Sequence, residues 1–540
     1  MAQGKATATF NIDGLTSSHH DDGRTRSPLG RKDSSPLMPP FMVSAPGKVI
    51  VYGEHAVVHG KAAIAASISL RSYLLVHFLS KSRRTVSLLF PDIGLSHTWD
   101  IPALPWSAFS APGKKKTYYD LVTELDPDLL EALEPHIDNI SPNAPPATRK
   151  IHQSSATAFL YLFLSLGTSS SPPCVYTLRS TIPIGAGLGS SASIAVCLSS
   201  SLLVQCRALA GPHPDQPAAE SELNIERINR WAFVAEMCIH GNPSGVDNTV
   251  SSGGKAVLFQ RRDYSKPPLV KRLNTFPELP LLLVNTRQSR STATEVAKVA
   301  NLRKSFPTIA ESVLSAIDNI TESAHTLLTS DDFDADSTTL KTLGELAAIN
   351  HGLLVALGVS HPKLERLRAL IDHTGIGWTK LTGAGGGGCA ITILNPEWKG
   401  KPDGGVNGVK KPSPKARTLV RNGTDSEGSS EKRKSGLEPA LIAPKALIPA
   451  SLSNQLQEEG FEVFTTTLAG DGVGVLWPAV LHNVNSITNR EEGGEEIDQE
   501  KFLTAVGTEG IEKLVGVSNT FEEGHPRHRG GVGGWKFWRY

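Results

Sequence analysis

A glycine-rich stretch with the sequence PIGAGLGSSAS begins at Pro183 and leads into an apolar run. Its glycines stand at alternate positions, Gly185, Gly187 and Gly189. Glycine allows a ligand to approach the backbone closely, and the free N–H groups at the start of a helix attract anions. The stretch is not the common phosphate loop, because no Gly-Lys-Ser/Thr follows, and its G-x-G-x-G spacing is not the dinucleotide fingerprint. By itself it fits either a phosphate cradle or a structural turn.

A carboxylate and another glycine run follow further along the chain. The turn residues of IHGNPSGVDN place Asp247 at the junction between a loop and an apolar element. A carboxylate in such a position commonly caps a helix or accepts turn hydrogen bonds, so by itself it does not indicate catalysis. The run TGAGGGG, from Thr382 to Gly388, ends in four consecutive glycines. Their cost in chain entropy predicts a close approach of backbone to a ligand or to another segment.

Two segments with clear patterns would position these groups. FMVSAPGKVIVYGEHAVVHG predicts a strand, a Pro-Gly turn and a second strand, with Glu54 and His55 at the next turn. NIERINRWAFVAEMCIHG predicts a helix that ends at Gly241, with Glu236 at the edge of its buried stripe. Strands and helices mix without the regular alternation of a doubly wound sheet, which predicts an α+β fold.

Composition limits the class of protein. A chain of 540 residues divides into at least two domains. The net charge is +1, from 54 basic and 53 acidic residues, so no overall field attracts nucleic acid or an anionic membrane, and a small-molecule partner is favoured. The five cysteines lack C-x-x-C spacing, which argues against disulfides and zinc and favours a reducing compartment. No apolar run reaches the ~18 residues of a membrane span, so we expect a cytoplasmic protein.

Both ends and one internal segment are rich in polar residues, Gly and Pro. Residues 1–40 are predicted to form a disordered tail, because they have too little apolar surface to offset the entropy of ordering. Residues 396–436, dense in Lys, Gly, Ser and Pro, are predicted to form a disordered insertion. Residues 483–540 are predicted to form a polar tail, whose aromatic end, GGWKFWRY, fits either docking or disorder.

Three motifs together resemble those of a known family. SAPGKVIVYGEHAVVHG, PIGAGLGSSAS and KLTGAGGGGC are similar, in this order, to the signature motifs of the GHMP kinases, which include galactokinase, homoserine kinase, mevalonate kinase and phosphomevalonate kinase. Within that superfamily, GEHAVVHG and IHGNPSGVDN most resemble the mevalonate kinases. The resemblance covers about residues 41–395 and 445–480. It implies ATP- and Mg²⁺-dependent phosphorylation of the C5 hydroxyl of mevalonate, a step in the synthesis of isoprenoid and sterol precursors.

The resemblance also implies a role for each candidate residue. Asp247 would accept or orient the proton of the attacking hydroxyl, and Lys48 would pair with it and favour the developing alkoxide. Ser191 and Glu236 would hold Mg²⁺. The ATP phosphates would be bound by Pro183, Gly185, Ala186, Gly187, Leu188, Gly189, Ser190 and Ser191. The mevalonate site would be formed by Lys48, Glu54, His55, Arg290 and Thr292.

The implied architecture has two lobes, a ribosomal-S5-like N-terminal lobe at 41–265 and a ferredoxin-like C-terminal lobe at 275–480. Members of the family are commonly homodimers, and many are inhibited by prenyl diphosphates that compete with ATP. One alternative is a sister kinase such as phosphomevalonate kinase, which would need a further basic cluster for its substrate's phosphate. Another is a catalytically inactive nucleotide-binding regulator, against which the joint presence of the candidate catalytic and metal-binding residues argues.

Overall fold

The structure is a computed structural model that describes residues 38–213, 215–262, 268–330, 333, 336–398, 448–484, 491–516 and 534–540. Most of the predicted N-terminal tail, residues 1–37, lies outside the described residues, as do residues 399–436 of the predicted insertion. The disorder expected of these two segments therefore stays a prediction.

The β-strands are distributed along the whole described chain. The earlier strands are β1 (Phe41–Tyr52), β2 (Ala62–Phe78), β3 (Thr85–Phe90), β4 (Leu95–Asp100), β5 (Cys174–Ser180), β6 (Ala256–Gln260) and β7 (Leu269–Leu273). The later strands are β8 (Leu279–Asn285), β9 (Gly377–Leu381), β10 (Cys389–Leu394), β11 (Glu462–Leu468), β12 (Gly474–Leu476), β13 (Val480–Val484), β14 (Glu491–Glu496) and β15 (Lys536–Phe537).

Helices alternate irregularly with these strands. The N-terminal lobe contains α1 (Trp106–Phe109), α2 (Pro127–Ile137), α3 (Pro146–Leu166), α4 (Ser190–Gln205), α5 (Ala218–His240) and α6 (Val246–Gly253). The later helices are α7 (Thr292–Ser305), α8 (Pro307–Leu328), α9 (Ser337–Ala356), α10 (Pro362–Asp372), α11 (Ala450–Glu458), α12 (Gln499–Thr504) and α13 (Gly507–Leu514). Short 3-10 helices cover Ala56–His59, Pro91–Ile93 and Ile101–Ala103. None of the described helices is both long and apolar enough to cross a membrane.

One continuous sheet runs through both lobes. Its described strands hydrogen-bond in the order β15-β12-β1-β2-β11-β8-β10-β9. The long strand β2 also pairs with β5 and β6, so the sheet of the N-terminal lobe branches there. The two lobes join where Leu468 of β11 pairs with Ile68 of β2. This mixed sheet and its irregularly placed helices confirm the predicted two-lobed α+β fold.

Each lobe has its own apolar core, and these cores hold the elements that carry the candidate site. In the N-terminal lobe, α3 and α5 contribute Phe159 and Trp231, which are 0% and 1% exposed. In the C-terminal lobe, α8 and α9 bury Leu314 and Leu354. Burial of such side chains contributes about 25 cal/mol per Å² of apolar surface, so the helix faces that pack on the sheet are firmly fixed.

The last part of the chain departs from the predicted domain limits. β12 falls within the predicted C-terminal lobe, but it pairs with β1 of the N-terminal lobe, with Gly474 opposite Ser44. β15 in turn pairs with β12. Trp535 and Trp538 are 2% and 1% exposed, because their large rings fill the cores of this region. Of the two alternatives for GGWKFWRY, the described residues fit docking, here onto the N-terminal lobe of the same chain.

Candidate active site

The glycine-rich loop at 183–189 leads directly into α4. Its three glycines have φ between +72° and +81°, a region that glycine adopts without strain. α4 begins at Ser190 without a side-chain cap, so its first N–H groups are available to an anion. The N–H of Lys48 donates to the carbonyl of Leu188 at 2.8 Å. The loop is therefore fixed against β1, as a phosphate-binding loop requires.

Asp247 and Lys48 form an ion pair beside this loop. Asp247 lies in the first turn of α6, where Gly245, with φ of +83°, turns the chain into the helix. Lys48 follows an irregularity in the pairing of β1 with β2. The Nζ atom of Lys48 is 3.2 Å from Oδ1 of Asp247, and the two side chains are 7% and 33% exposed. The carboxylate thus has a cation on one side and an open face on the other, as proton acceptance from a bound alcohol requires.

Glu236 lies on α5, close to both Asp247 and the start of α4. The side chain is buried, and its Oε1 atom has no hydrogen-bond partner among the described residues. Burial, together with the negative charge of Asp247, raises the pKa of Glu236 to about 7, although a hydrogen bond from Ser191 opposes the shift. The hydroxyl of Ser191 is also 3.1 Å from Nε2 of His240. A buried carboxylate with a free oxygen next to a hydroxyl is a suitable partial ligand set for a hard cation.

Glu54 and His55 follow β1 as the sequence predicts, but their surroundings differ. Glu54 is 1% exposed, and its two carboxylate oxygens accept hydrogen bonds from Lys380 and Asn350. His55 Nε2 is 2.8 Å from the carbonyl of Ala384, and its buried Nδ1 has no partner in the described ranges. Burial lowers the pKa of His55, so the ring is neutral at pH 7. The structure places His55 against the second glycine run and Glu54 behind it.

Arg290 lies between the two glycine-rich segments. Its Nη2 atom donates to the carbonyl of Ala186 at 3.1 Å, and its Nη1 atom donates to that of Gly385 at 3.4 Å. A Cβ atom on Gly187 would lie 1.8 Å from Nη2, so glycine is needed there for the guanidinium to approach. Thr292, also predicted as a substrate residue, is exposed at the start of α7. Arg290 thus brings a cation to the edge of the first glycine-rich loop.

The second glycine run approaches other parts of the backbone closely, as predicted. The N–H of Gly386 donates to the carbonyl of Val359 at 2.7 Å, and a Cβ atom on Gly385 would lie 2.0 Å from that same oxygen. The hydroxyl of Thr382 donates to the carbonyl of Ile50 at 2.9 Å. The hydrogen bond to Ile50 joins the C-terminal lobe to the strand that carries Lys48, and the contacts with Val359 hold the run within its own lobe.

Three residues of this region were not found by sequence reasoning. Lys380 and Asn350 contact Glu54 across 326 and 296 positions of sequence, so no local pattern relates them. The available signal was a lysine in a short strand that leads into the second glycine run. His240, which contacts Ser191, is the last residue of α5. From the sequence, it indicates only where the helix ends.

Comparison with known proteins gives a consistent result. The family models for the GHMP kinases N terminal domain and the GHMP kinases C terminal match residues 154–255 and 334–400. A mevalonate kinase of Gibberella zeae is 60% identical over 96% of this chain and 91% of its own length. A mevalonate kinase of Aspergillus fumigatus is 59% identical over 95% of this chain and 85% of its own length. The human mevalonate kinase is 38% identical over 66% of this chain and 86% of its own length.

A solved structure shows the same fold. The crystal structure of the Methanococcus jannaschii mevalonate kinase matches with a TM-score of 0.51 and 19% identity, over 82% of this chain and all of that one. At this identity the match supports the fold alone. The sequence relatives go further, because the kinases of Gibberella zeae and Aspergillus fumigatus match nearly the whole chain at 60% and 59% identity, and both family models match within it. The chain therefore belongs to the mevalonate kinase family of the GHMP kinases.

Proposed function

We propose that the chain transfers the γ-phosphoryl group of ATP to the C5 hydroxyl of mevalonate, for the synthesis of isoprenoid and sterol precursors. The observation that carries the proposal is the pairing of Lys48 with Asp247 at 3.2 Å, beside a glycine-rich loop at the start of a helix. The 60% identity to a mevalonate kinase favours mevalonate over the substrates of the sister kinases.

Asp247 acts on the attacking hydroxyl in this proposal. Its carboxylate accepts or orients the C5 hydroxyl proton as the oxygen attacks the γ-phosphorus. The bond from that phosphorus to the β,γ-bridging oxygen breaks, and ADP leaves with the electron pair. Lys48 holds a positive charge beside the developing alkoxide, and its buried stem keeps that charge in place.

The ATP phosphates are bound by the backbone of the first glycine-rich loop. The contributing residues are Pro183, Gly185, Ala186, Gly187, Leu188, Gly189, Ser190 and Ser191. Free N–H groups at the start of α4 and the positive end of its dipole stabilise the phosphate charge. Arg290 donates to the carbonyl of Ala186 at the edge of this loop, and so holds the loop in place.

Glu236 and Ser191 would hold Mg²⁺. They fit this ion because Oε1 of Glu236 is buried without a hydrogen-bond partner, beside a hydroxyl at the start of a helix. Mg²⁺ takes few protein ligands and completes its shell with phosphates and water, so one carboxylate and one hydroxyl suffice. The described residues contain no cluster of three or more His, Cys, Asp or Glu that could hold a metal, which is compatible with such a sparse site. When bound, the ion would neutralise phosphate charge.

Mevalonate would lie with its C5 hydroxyl at Lys48 and Asp247 and its carboxylate near Arg290 and Thr292, with His55 beside a hydroxyl of the substrate. Arg290 supplies the cation that the carboxylate needs. The unpartnered Nδ1 of the neutral His55 ring accepts a hydrogen bond, and thus suits a hydroxyl better than a carboxylate. Because both oxygens of Glu54 are engaged, its contribution is to hold the segment that carries His55.

Three further features are proposed from the family resemblance. They are a cytoplasmic location, a homodimeric state, and inhibition by prenyl diphosphates in competition with ATP. Gel filtration with light scattering measures the second. Inhibition by farnesyl diphosphate at several ATP concentrations measures the third, and a pattern that extra ATP does not relieve would contradict it.

The substrate is tested by measuring ADP release with mevalonate, phosphomevalonate, galactose and homoserine, each with ATP and with or without Mg²⁺. We expect Mg²⁺-dependent turnover with mevalonate and little with the others, and ³¹P NMR should detect 5-phosphomevalonate. An Asp247→Asn preparation controls for contaminating kinases. Faster turnover of phosphomevalonate would favour the sister kinase, and ATP binding without turnover of any substrate would favour an inactive regulator.

A further inference from the structure

Two segments from the end of the described chain form a clasp on the N-terminal lobe. We define the clasp as residues 470–476 and 534–540. Its strands β12 and β15 pair with each other, and β12 pairs with β1, the strand that carries Lys48. Trp538, in the second segment, is 1% exposed and donates its backbone N–H to the carbonyl of Val473 in the first. The two segments are thus bound to one another as well as to the lobe.

The first segment of the clasp contacts the end of α6, the helix that carries Asp247 in its first turn. The N–H of Val473 donates to the carbonyl of Ser252 at 3.0 Å. A Cβ atom on Gly472 would lie 2.3 Å from that same carbonyl oxygen, so the two backbones are in close contact. Just beyond the helix, the N–H of Lys255 donates to the carbonyl of Gly470 at 2.9 Å.

The second segment closes over the same helix end. The guanidinium of Arg272 lies 4.1 Å from the centre of the Tyr540 ring, within the range of a cation–π contact. A Cβ atom on Gly253 would lie 2.1 Å from Nη1 of Arg272 and 2.9 Å from the Tyr540 hydroxyl oxygen. Within the part of the chain that the structure describes, the hydroxyl has no hydrogen-bond partner, so the ring makes the contact. The last residue of α6 is therefore held between the clasp and β7.

A buried arginine extends the clasp to the strand of Lys48. Arg71 on β2 is 6% exposed and donates to the hydroxyl of Ser44 on β1 at 2.6 Å. It also donates to the carbonyl of Asp471 at 2.9 Å and to that of Gly472. Because these partners are fixed carbonyls in a buried site, the guanidinium sets the position of the clasp relative to β1.

We propose that the clasp is a positioning element for the Lys48–Asp247 pair, a role that rests on the proposed function. α6 has only eight residues, so a displacement of its clasped end moves Asp247 at its other end. A misplacement of about 1 Å in a catalytic constellation can cost on the order of 10²-fold in rate. The clasp thus acts on turnover through the placement of one carboxylate, without contact to substrate.

Tyr540→Ala and Tyr540→Phe test the proposal at the helix end. We expect the alanine variant to lose about 10-fold in kcat with mevalonate, while the KM for ATP changes by less than about 2-fold, because the phosphate-binding loop does not contact the clasp residue. The phenylalanine variant retains the ring and should keep the wild-type kcat. Assays run well below the Tm of each variant separate turnover from unfolding.

A matched pair of surface variants controls for the loss of an ion pair. Arg539 forms an ion pair with Asp471 of the clasp through two hydrogen bonds, and the two side chains are 54% and 26% exposed. Arg366 forms a similar ion pair with Glu459, away from the clasp, and these side chains are 55% and 28% exposed. We expect Arg539→Ala to lower kcat about 3-fold and Arg366→Ala to leave it unchanged. A Tyr540→Ala variant with a lower Tm but an unchanged kcat would overturn the proposal, leaving the clasp a purely structural feature.

Hydrogen–deuterium exchange provides a readout that does not depend on the substrate. In Tyr540→Ala, amides of α6 should exchange at least about 10-fold faster, and amides of α10 should not change. If the wild type fails to phosphorylate mevalonate while α6 still responds in this way, the proposed function fails and the clasp retains its structural link to Asp247. Unchanged exchange in α6 would overturn the clasp proposal whatever the substrate.

Discussion

The strand β1 leads to two lysine–carboxylate pairs that differ in their access to solvent. Lys48 lies within β1 and pairs with Asp247, with the two side chains 7% and 33% exposed. Glu54 lies two residues beyond β1 and pairs with Lys380, with both side chains 0% exposed. The charges are the same in kind, but one pair opens onto the candidate site and the other is sealed between the lobes.

This difference in exposure separates chemistry from stability. In the sealed pair, removal of two charges from water is costly and is offset only by close contact and added hydrogen bonds, here including one from Asn350 at 2.9 Å. Burial lowers the pKa of Lys380, although the charge of Glu54 opposes the shift. In the open pair, Asp247 retains a free face for a reacting hydroxyl. We therefore expect loss of the sealed pair to affect folding and loss of the open pair to affect turnover.

Lys380→Met should have the largest effect on stability. It leaves the Glu54 carboxylate buried without its cation, and breaking a buried pair in this way costs about 3 to 5 kcal/mol. Urea unfolding measures this loss. The double variant Glu54→Gln/Lys380→Met removes both charges and should recover at least about half of it. A stability of Lys380→Met within about 1 kcal/mol of the wild type would contradict the sealed-pair interpretation.

Asp247→Asn should have the largest effect on turnover. It retains the size of the side chain but removes the charge that accepts or orients the hydroxyl proton, so kcat should fall at least ~10²-fold. ATP affinity should be largely kept, since the phosphates are proposed to bind the backbone of another loop, and the Tm should change little because the pair is partly exposed. A near-normal kcat would show that another group acts as the base. A large loss of Tm would show that the open pair also stabilises the fold, as the sealed pair of Glu54 and Lys380 is expected to do.

Glu236→Gln should give a smaller effect that depends on pH. The native carboxyl has a pKa of about 7, above its ordinary 4.5, so the native state binds more protons than the unfolded state between these values. The group's contribution to stability is present below pH 4.5 and is lost as pH rises through 7. At pH 8 without metal, Glu236→Gln should therefore be more stable than the wild type, because it removes a buried negative charge. The expected gain is about 1 to 2 kcal/mol and no more, since the buried amide still bears part of the desolvation cost.

Mg²⁺ distinguishes this effect from a general change in packing. The ion should raise the Tm of the wild type in the presence of ATP, more at pH 8 than at pH 6, because it binds the ionised carboxyl. The Glu236→Gln protein should lose most of this response. Asp318→Asn serves as the control variant, because the Asp318 carboxylate accepts a hydrogen bond from the N–H of Ala62 and is not a proposed Mg²⁺ ligand. An equal response to Mg²⁺ in the wild type and Glu236→Gln would exclude Glu236 as a ligand.

Much of the fold was predictable where the pattern is local. The helix that ends at Gly241 follows from periodicity and turn residues, and the structure confirms it. The predicted turn at Pro46 and Gly47 is wrong, because β1 runs without a break from Phe41 to Tyr52 and absorbs these residues as an irregularity in its pairing with β2. The position of Glu236 at the edge of the apolar stripe already indicated an unusual carboxylate, and the structure shows it buried. The C-terminal limit of the second lobe was less accurate, because β12 returns to the first lobe through a pairing that no local pattern reveals.

The sequence by itself determined the residue types, the order of the three glycine-rich or catalytic motifs, and the α+β class, because each of these depends on neighbouring residues and on steric properties such as glycine's positive φ. Only the tertiary structure decided which charges meet. Lys380 reaches Glu54 across 326 positions, and the clasp reaches the helix of Asp247 from the far end of the chain. Long-range pairing and burial depend on the packing of both lobes at once, and they assign one lysine–carboxylate pair to the open site and the other to the interior.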